Sequence, residues 1–428
     1  MKLTNAEGPE CRRSGGGAAV SRRHLLCRSG AVLGSAALLA LFGEREGAAA
    51  GTVPKYLSAE ASVGPYELPD LLKKAGGGSV TRPEEWPAQR QAILELFRTH
   101  VYGRSPGRPE RLSFETVEKN SAALDGKATL KRVAIRCGQG DRNLEFQVTL
   151  FLPNGRRPAP VFLLLNNRPP ENTDPTRAKK SGFWPAEEII ARGYGAAAIQ
   201  LSDLSPDKPD RFREGAIRLK EGDRDQRPPD AWKTISAWAW GASRVMDYFE
   251  TDPAIDTKRI AVIGHSRGGK TALWAGAQDE RFALTISNCS GCTGAALARR
   301  PVGEDIKKIN TGFPHWFCDN YRRYNDRDAE LPVDQHMLIA LMAPRAVYVA
   351  SAEEDLWADP KGEFLGLAHA SPAFALFGQP GVKTDAMPGL EMPLISGRQG
   401  YHIRHGIHNL TPYDWQRDMD FADHLWKG

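Results

Sequence analysis

Cysteine is scarce in this chain of 428 residues: six are present, and Cys11 and Cys27 fall within the first fifty positions. A fold stapled by many disulfides is thereby excluded. Cys289-Ser290-Gly291-Cys292 has the spacing of a redox or zinc pair, but no second Cys or His pair stands at a zinc-like distance. Cys137, Cys289, Cys292 and Cys318 are therefore expected as buried thiols, or with one disulfide among them. No run beyond residue 50 is long and apolar enough to span a membrane. An excess of one charge is lacking too. Against 52 Asp and Glu stand 57 Lys and Arg, and residues 1–50 hold three of the five surplus positive charges. Nucleic acid is not implied as a partner. Repeats and low-complexity stretches are missing after residue 50. What remains, 41% hydrophobic and 25% charged, is the composition of a globular protein with a large core.

The first fifty residues read as an address. Arg22-Arg23 precedes a modest apolar run, Gly30 to Gly43, and an Ala48-Ala49-Ala50 end. This is the pattern of a twin-arginine signal peptide over 1–50, followed by a single domain over 51–428 with an N-terminal extension. Export to the periplasm or beyond is expected, with no membrane attachment once the signal is removed.

The chain is organised around KRIAVIGHSRGGKTALWAGA, residues 258–277. An apolar run, Ile260 to Ile263, stops at Gly264-His265-Ser266-Arg267-Gly268, and a small-residue helical pattern follows. Strand, sharp turn and helix with serine at the apex make a nucleophile elbow, whose glycines let strand and helix pass closely. Further strands are expected at Arg132–Cys137 and Leu144–Leu152 as a hairpin, then at Pro160–Leu165, Gly195–Leu201, Phe282–Ser287, Arg345–Ala350 and Gly400–Arg404. Helices are expected at Glu84–Tyr102, Lys233–Phe249, Leu331–Met342, Gly362–Leu376 and Pro412–Trp426. The alternation predicts an α/β-hydrolase fold, a doubly wound, mostly parallel sheet with helices on both faces. Asn166–Trp184 reads as a loop beside a site, and the charged stretch Asp203–Asp230 as a solvated excursion rather than a substrate cap.

A serine hydroxyl needs a histidine base, and the base needs a carboxylate to hold its tautomer. In this fold class the order is Ser, acid, His, each on a loop after a strand. After Arg345–Ala350 comes Glu353-Glu354-Asp355 and, further on, Asp359; Asp355 is the first choice, with Glu354 and Asp359 as alternatives. Of His402, His405 and His408, the last lies past Gly406 on the loop before the closing helix and is best placed as base.

The segment GHSRGGKTALWAGAQDERFALTISNCSGCTGAAL, with INTGFPHWF, SAEEDLWADP and GYHIRHGIHNLTPYDW, resembles the bacterial glucuronoyl esterases of carbohydrate esterase family fifteen. The resemblance implies a cofactor- and metal-free serine esterase. Its substrate would be the ester between lignin alcohols and (4-O-methyl) glucuronic acid on xylan, and the enzyme is expected as a monomer. It places the nucleophile on Ser266, the base on His408 and an oxyanion-binding arginine on Arg267. It also implies sugar contacts from Lys270 and Glu304, Trp357 lining the uronate pocket, and His315 and Trp316 walling the same space. Some members, fungal ones especially, carry the acid where this chain reads Asn288-Cys289-Ser290, so here the role falls to Asp355. An acetyl-xylan or general carboxylesterase, and an exported carbohydrate-binding protein without activity, are the alternatives. The first would act on acetylated xylan alone, and the second would resist labelling by an organophosphonate.

Overall fold

The structure, a computed structural model, describes residues 60, 63–155 and 158–427. The signal expected over 1–50 lies outside the described residues. The strands are β1 (Arg111–Ala123), β2 (Ala128–Gln139), β3 (Arg142–Pro153), β4 (Ala159–Asn166), β5 (Gly195–Gln200), β6 (Ile255–His265), β7 (Leu284–Asn288), β8 (Ala346–Ala352), β9 (Leu394–Ser396) and β10 (Gln399–Arg404). They form one ten-stranded sheet in the order β1-β2-β3-β5-β4-β6-β7-β8-β10-β9. The block from β5 through β10 is parallel. β1, β2 and β3 extend it as an antiparallel flank, and β9 closes the other edge antiparallel to β10.

The continuous apolar runs have the cause expected for central parallel strands, burial on both faces. On β4, Val161, Leu163 and Leu165 join one core and Phe162 and Leu164 the other; on β6, Ile260 and Val262 part from Ala261 and Ile263 in the same way. The first core is covered by the helices Thr234–Phe249 and Arg267–Gln278, the second by Ala186–Ala191 and Pro412–Trp426. This is the three-layer α/β-hydrolase arrangement.

Three local readings are corrected. β1 was not anticipated, because its residues are mostly exposed and polar and only Leu112 and Phe114 alternate toward the core. It is held instead by ladder hydrogen bonds and by a cross-strand row in which Arg136 pairs with Glu115 and, at 2.7 Å, with Glu145. The helix expected at Leu331–Met342 shortens to Gln335–Ala340, because Asp334 caps it by accepting from the Gln335 amide at 2.7 Å. Asp203–Asp230 is more than a solvated excursion: Leu204, Ala216, Ile217 and Leu219 are buried, and a short helix spans Ala216–Glu221.

Candidate active site

The elbow forms as its spacing requires. Ser266 adopts φ 59° and ψ −125°, a conformation strained for any L-residue with a side chain, between β6 and the helix Arg267–Gln278. The glycines make it possible: a Cβ on Gly264 would stand 2.0 Å from the Gly268 carbonyl oxygen, and one on Gly268 would stand 2.9 Å from the Leu165 oxygen. Register then lines up the strand ends. His265 pairs with Asn288, and Asn288 with Ala350. The Ser266 amide donates to the Asn288 carbonyl at 2.8 Å, and the Cys289 amide to Ala350 at 2.7 Å.

The acid loop and the base loop are tied together before their side chains meet. The amides of Glu353 and Glu354 donate to the carbonyls of Arg404 and Gly406, at 3.0 and 3.1 Å. The Arg404 guanidinium threads the base loop, donating to the carbonyls of His405, Ile407 and Asn409 as well as to the Asp414 carboxylate. On this frame His408 Nδ1 lies 2.5 Å from Asp355 Oδ2, which leaves Nε2 outside that contact. The His408 ring packs on the ring of His265, the residue before the serine, with centroids 4.3 Å apart. Asp355 is buried and His408 about one-third exposed, which suits a fixed acid and an accessible base.

The other candidates are occupied elsewhere. Asp359 caps the helix Pro360–His369 through the Gly362 amide and pairs with Arg300; His402 contacts Asp414 at 2.9 Å and Tyr348 at 3.0 Å; His405 pairs with Glu353 at the surface. No carboxylate at Glu354 is needed.

Cys137, Cys289, Cys292 and Cys318 are all buried free thiols, so the disulfide option is set aside. A Cys289 Sγ, an Asp355 oxygen and a His408 ring nitrogen lie within 4.8 Å of one another, close enough to ask whether they hold a metal. Burial, and then the Asp355 and Glu363 carboxylates, push the Cys289 thiol well above its ordinary range, so it stays protonated and is a poor metal ligand.

Arg267 follows the serine directly, so its amide opens a helix whose first N–H groups have no intrahelical partner. Its guanidinium lies over the Trp316 ring at 5.4 Å and pairs with Asp207, while Nε finds no acceptor among the described residues. Asp207 was not anticipated. It sits inside the Asp203–Asp230 stretch and also accepts from His315 Nε2 at 2.8 Å and Trp316 Nε1 at 2.7 Å. Burial alone would raise this carboxyl; the His315 bond, the Arg267 charge and the remaining donors outweigh it and hold it at about 2. His315 and Trp316 are thus buried braces for Asp207. Replacing Asp207 by Asn should cost about 10- to 100-fold in kcat/KM with the fold retained, since it weakens a charge-assisted bond and leaves a donor badly matched. Steady-state kinetics beside a melting curve checks it.

Lys270 departs from its expected contact with a sugar. Its ammonium is buried and gives its three donors to Glu304 Oε2 at 2.7 Å, to the Ser290 carbonyl at 2.6 Å and to the Cys292 carbonyl. Its role here is to hold Glu304 in place. The Glu304 amide donates to the Trp357 carbonyl at 2.8 Å, and the Trp357 ring is half exposed near the Lys308 ammonium. His408 also lines a cleft of about 500 Å³, together with Arg168, Phe183, Asn409 and Pro412, among others.

Beneath the acid loop, Glu363 accepts from the Ser290 and Gly291 amides at 2.6 and 3.0 Å and from Ser351 at 2.7 Å. Burial pushes its carboxyl up to about 8 against those donors, with Asp355 adding to the rise. A carboxyl whose folded pKa is raised binds its proton more tightly folded than unfolded, so its contribution is fully present below about 4.5 and is lost as pH rises toward 8. Glu363→Gln should flatten the fall in melting temperature between pH 5 and pH 8. An unchanged slope in a pH series of melts would refute this.

A family profile described as glucuronyl esterase, fungi, matches residues 230–378. A carbohydrate esterase from an unknown prokaryotic organism is 42% identical over 86% of this chain and 92% of its own length. The solved glucuronoyl esterase from Solibacter usitatus superposes with a TM-score of 0.81 at 42% identity, covering 86% of this chain and 100% of that one. A 4-O-methyl-glucuronoyl methylesterase from Cerrena unicolor is 29% identical over 74% of this chain and 62% of its own. The chain belongs to the glucuronoyl esterases, carbohydrate esterase family 15.

Proposed function

We propose that this enzyme hydrolyses the ester between an alcohol and the C6 carboxyl of a (4-O-methyl) glucuronic acid, and that its natural substrates are lignin alcohols esterified to glucuronoxylan. The observation carrying the reading is the His408–Asp355 pair, its imidazole packed on His265, with a serine in the strained elbow conformation as the next residue and Arg267 following it.

His408 Nε2 takes the Ser266 proton, and Oγ attacks C6. The oxygen that gains charge is met by the Arg267 amide and guanidinium, donors preset before the reaction and worth roughly 3 to 4 kcal/mol apiece. His408 returns the proton to the departing alcohol, and water repeats the sequence on the acyl-enzyme. Glu304, fixed by Lys270, offers a carboxylate oxygen to the sugar hydroxyls, and the open face of Trp357 offers a platform to the ring. Export by the Arg22-Arg23 leader would bring the enzyme to such substrates.

Assaying methyl and benzyl glucuronate beside acetylated xylan tests the reading. Turnover of both glucuronates with little release of acetate is the expected result. Activity on acetyl groups alone would replace it with an acetyl-xylan esterase.

A further inference from the structure

Behind the nucleophile runs a buried polar chain with only one consistent arrangement of protons. It starts at Asp414, a carboxylate held by Arg404, His402 and Thr411, which can only accept. Asn288 Nδ2 donates to it at 3.0 Å, so Asn288 Oδ1 must face the other way, as an acceptor. His265 Nδ1 lies 2.6 Å from that oxygen and must carry the proton. His265 Nε2 is then a lone pair, and Arg168 Nη2, a permanent donor, stands 3.2 Å away. A permanent acceptor at one end and a permanent donor at the other fix the tautomer between them. A charged His265 would turn a second cation on Arg168, and burial together with His408 and Arg168 accordingly holds His265 well below its ordinary range.

The chain ends on a guanidinium that no ion pair claims. Among the described residues no carboxylate lies within ion-pairing distance of Arg168, which is half-buried, lies 5.9 Å from the Phe183 ring centroid and lines the same cleft as His408. Partly desolvated arginines are ordinarily paired. One of its five donors is spent on His265, and the side chain lines the cleft. Arg267 stands with Asp207 and Trp316 and does not line that cleft.

We infer that Arg168 is a further catalytic residue, donating a hydrogen bond to the alkoxy oxygen of the ester as the alcohol departs, and that His265 is the positioning residue that aims it. The inference rests on the esterase reading above. In acylation the Ser266 Oγ–C6 bond has formed and the C6–O bond to the alcohol breaks. The electron pair of that bond stays on the alcohol oxygen, which receives the His408 Nε2 proton. That oxygen must lie within reach of His408, and Arg168 is the cation that lines the same cleft. It transfers no proton and stabilises charge not yet neutralised.

The test is the dependence of kcat/KM, which reports acylation, on how basic the leaving alcohol is. Methyl, benzyl and phenyl glucuronates form a series of decreasing basicity. Arg168→Met should lower kcat/KM by about 100-fold on the methyl ester and less than about tenfold on the phenyl ester, because a good leaving group needs little help. His265→Phe should show the same graded pattern at smaller amplitude, and Arg168→Lys should fall between wild type and Met. A melting curve accompanies each variant, and if Arg168→Met does not fold, the Lys variant is judged by the same gradient. A loss equal on all three esters would overturn the inference and leave the esterase standing. A wild-type enzyme inactive on all three would overturn the esterase reading itself.

Discussion

Ser266→Ala should lower kcat by on the order of a million-fold, and His408→Ala by about as much, because the two act as one unit. The double variant should be scarcely worse than either alone. Loss of the hydroxyl removes the atom that bonds C6, and loss of the imidazole leaves that hydroxyl protonated at neutral pH. What survives is binding and the Arg267 donors, so a small rate above the uncatalysed one should persist in both. Both side chains are partly exposed, and the strained backbone at residue 266 is relieved no further by alanine, so the melting temperature should move little. Single-turnover kinetics on benzyl glucuronate, with a melt for each variant, is the measurement. A serine variant retaining even one-hundredth of the activity would remove the acyl-enzyme from the mechanism.

Asp355→Ala should cost on the order of 10⁴-fold, since the imidazole loses both its tautomer and its counter-charge. The second acid position makes the experiment sharper. Cys289 offers such a position, its sulfur within 4.8 Å of both the Asp355 oxygen and the His408 nitrogen. Its φ of 45° is left-handed, a conformation aspartate tolerates better than most residues. Cys289→Asp placed on Asp355→Ala should therefore recover about tenfold or more of the lost rate, by supplying a carboxylate from the neighbouring strand end. Alone, Cys289→Asp should destabilise, because it buries a second carboxylate beside Asp355 and close to Glu363. No recovery in the double variant would mean that the direction from which His408 is held matters more than the charge itself.

What could be read in the sequence followed physical visibility. β4 and β6 announce themselves as unbroken apolar runs because both their faces are covered, and the closing helix is found at its observed Pro412–Trp426 bounds. Ser266, Asp355 and His408 could be picked out as candidates because topology fixes the order and the strand each follows, and the structure brings His408 and Asp355 into contact. β1 was not legible, because only Leu112 and Phe114 at its start alternate toward the core and the rest of the strand is polar or exposed. Asp207 was hidden among other charges: Ser205-Pro206-Asp207-Lys208-Pro209-Asp210 carries no pattern to single out one carboxylate, and its role exists only once residues 267, 315 and 316 surround it. Lys270 could be placed by resemblance but not its partners, two of which are main-chain oxygens from a turn around residue 291. His265 did leave a signal. A polar side chain at the end of an unbroken apolar strand must find partners, and here it finds Asn288 and Arg168.

The two margins of the sheet have a consequence for the enzyme at high concentration. An outermost strand can template pairing with another copy, and here each margin is blunted differently: β9 is three residues long, and β1 carries the exposed charges of Glu115, Glu118 and Lys119. Stacking two copies along β1 would set like charges against one another or strip them of water. Edge-to-edge addition of a second copy is thereby disfavoured at both margins.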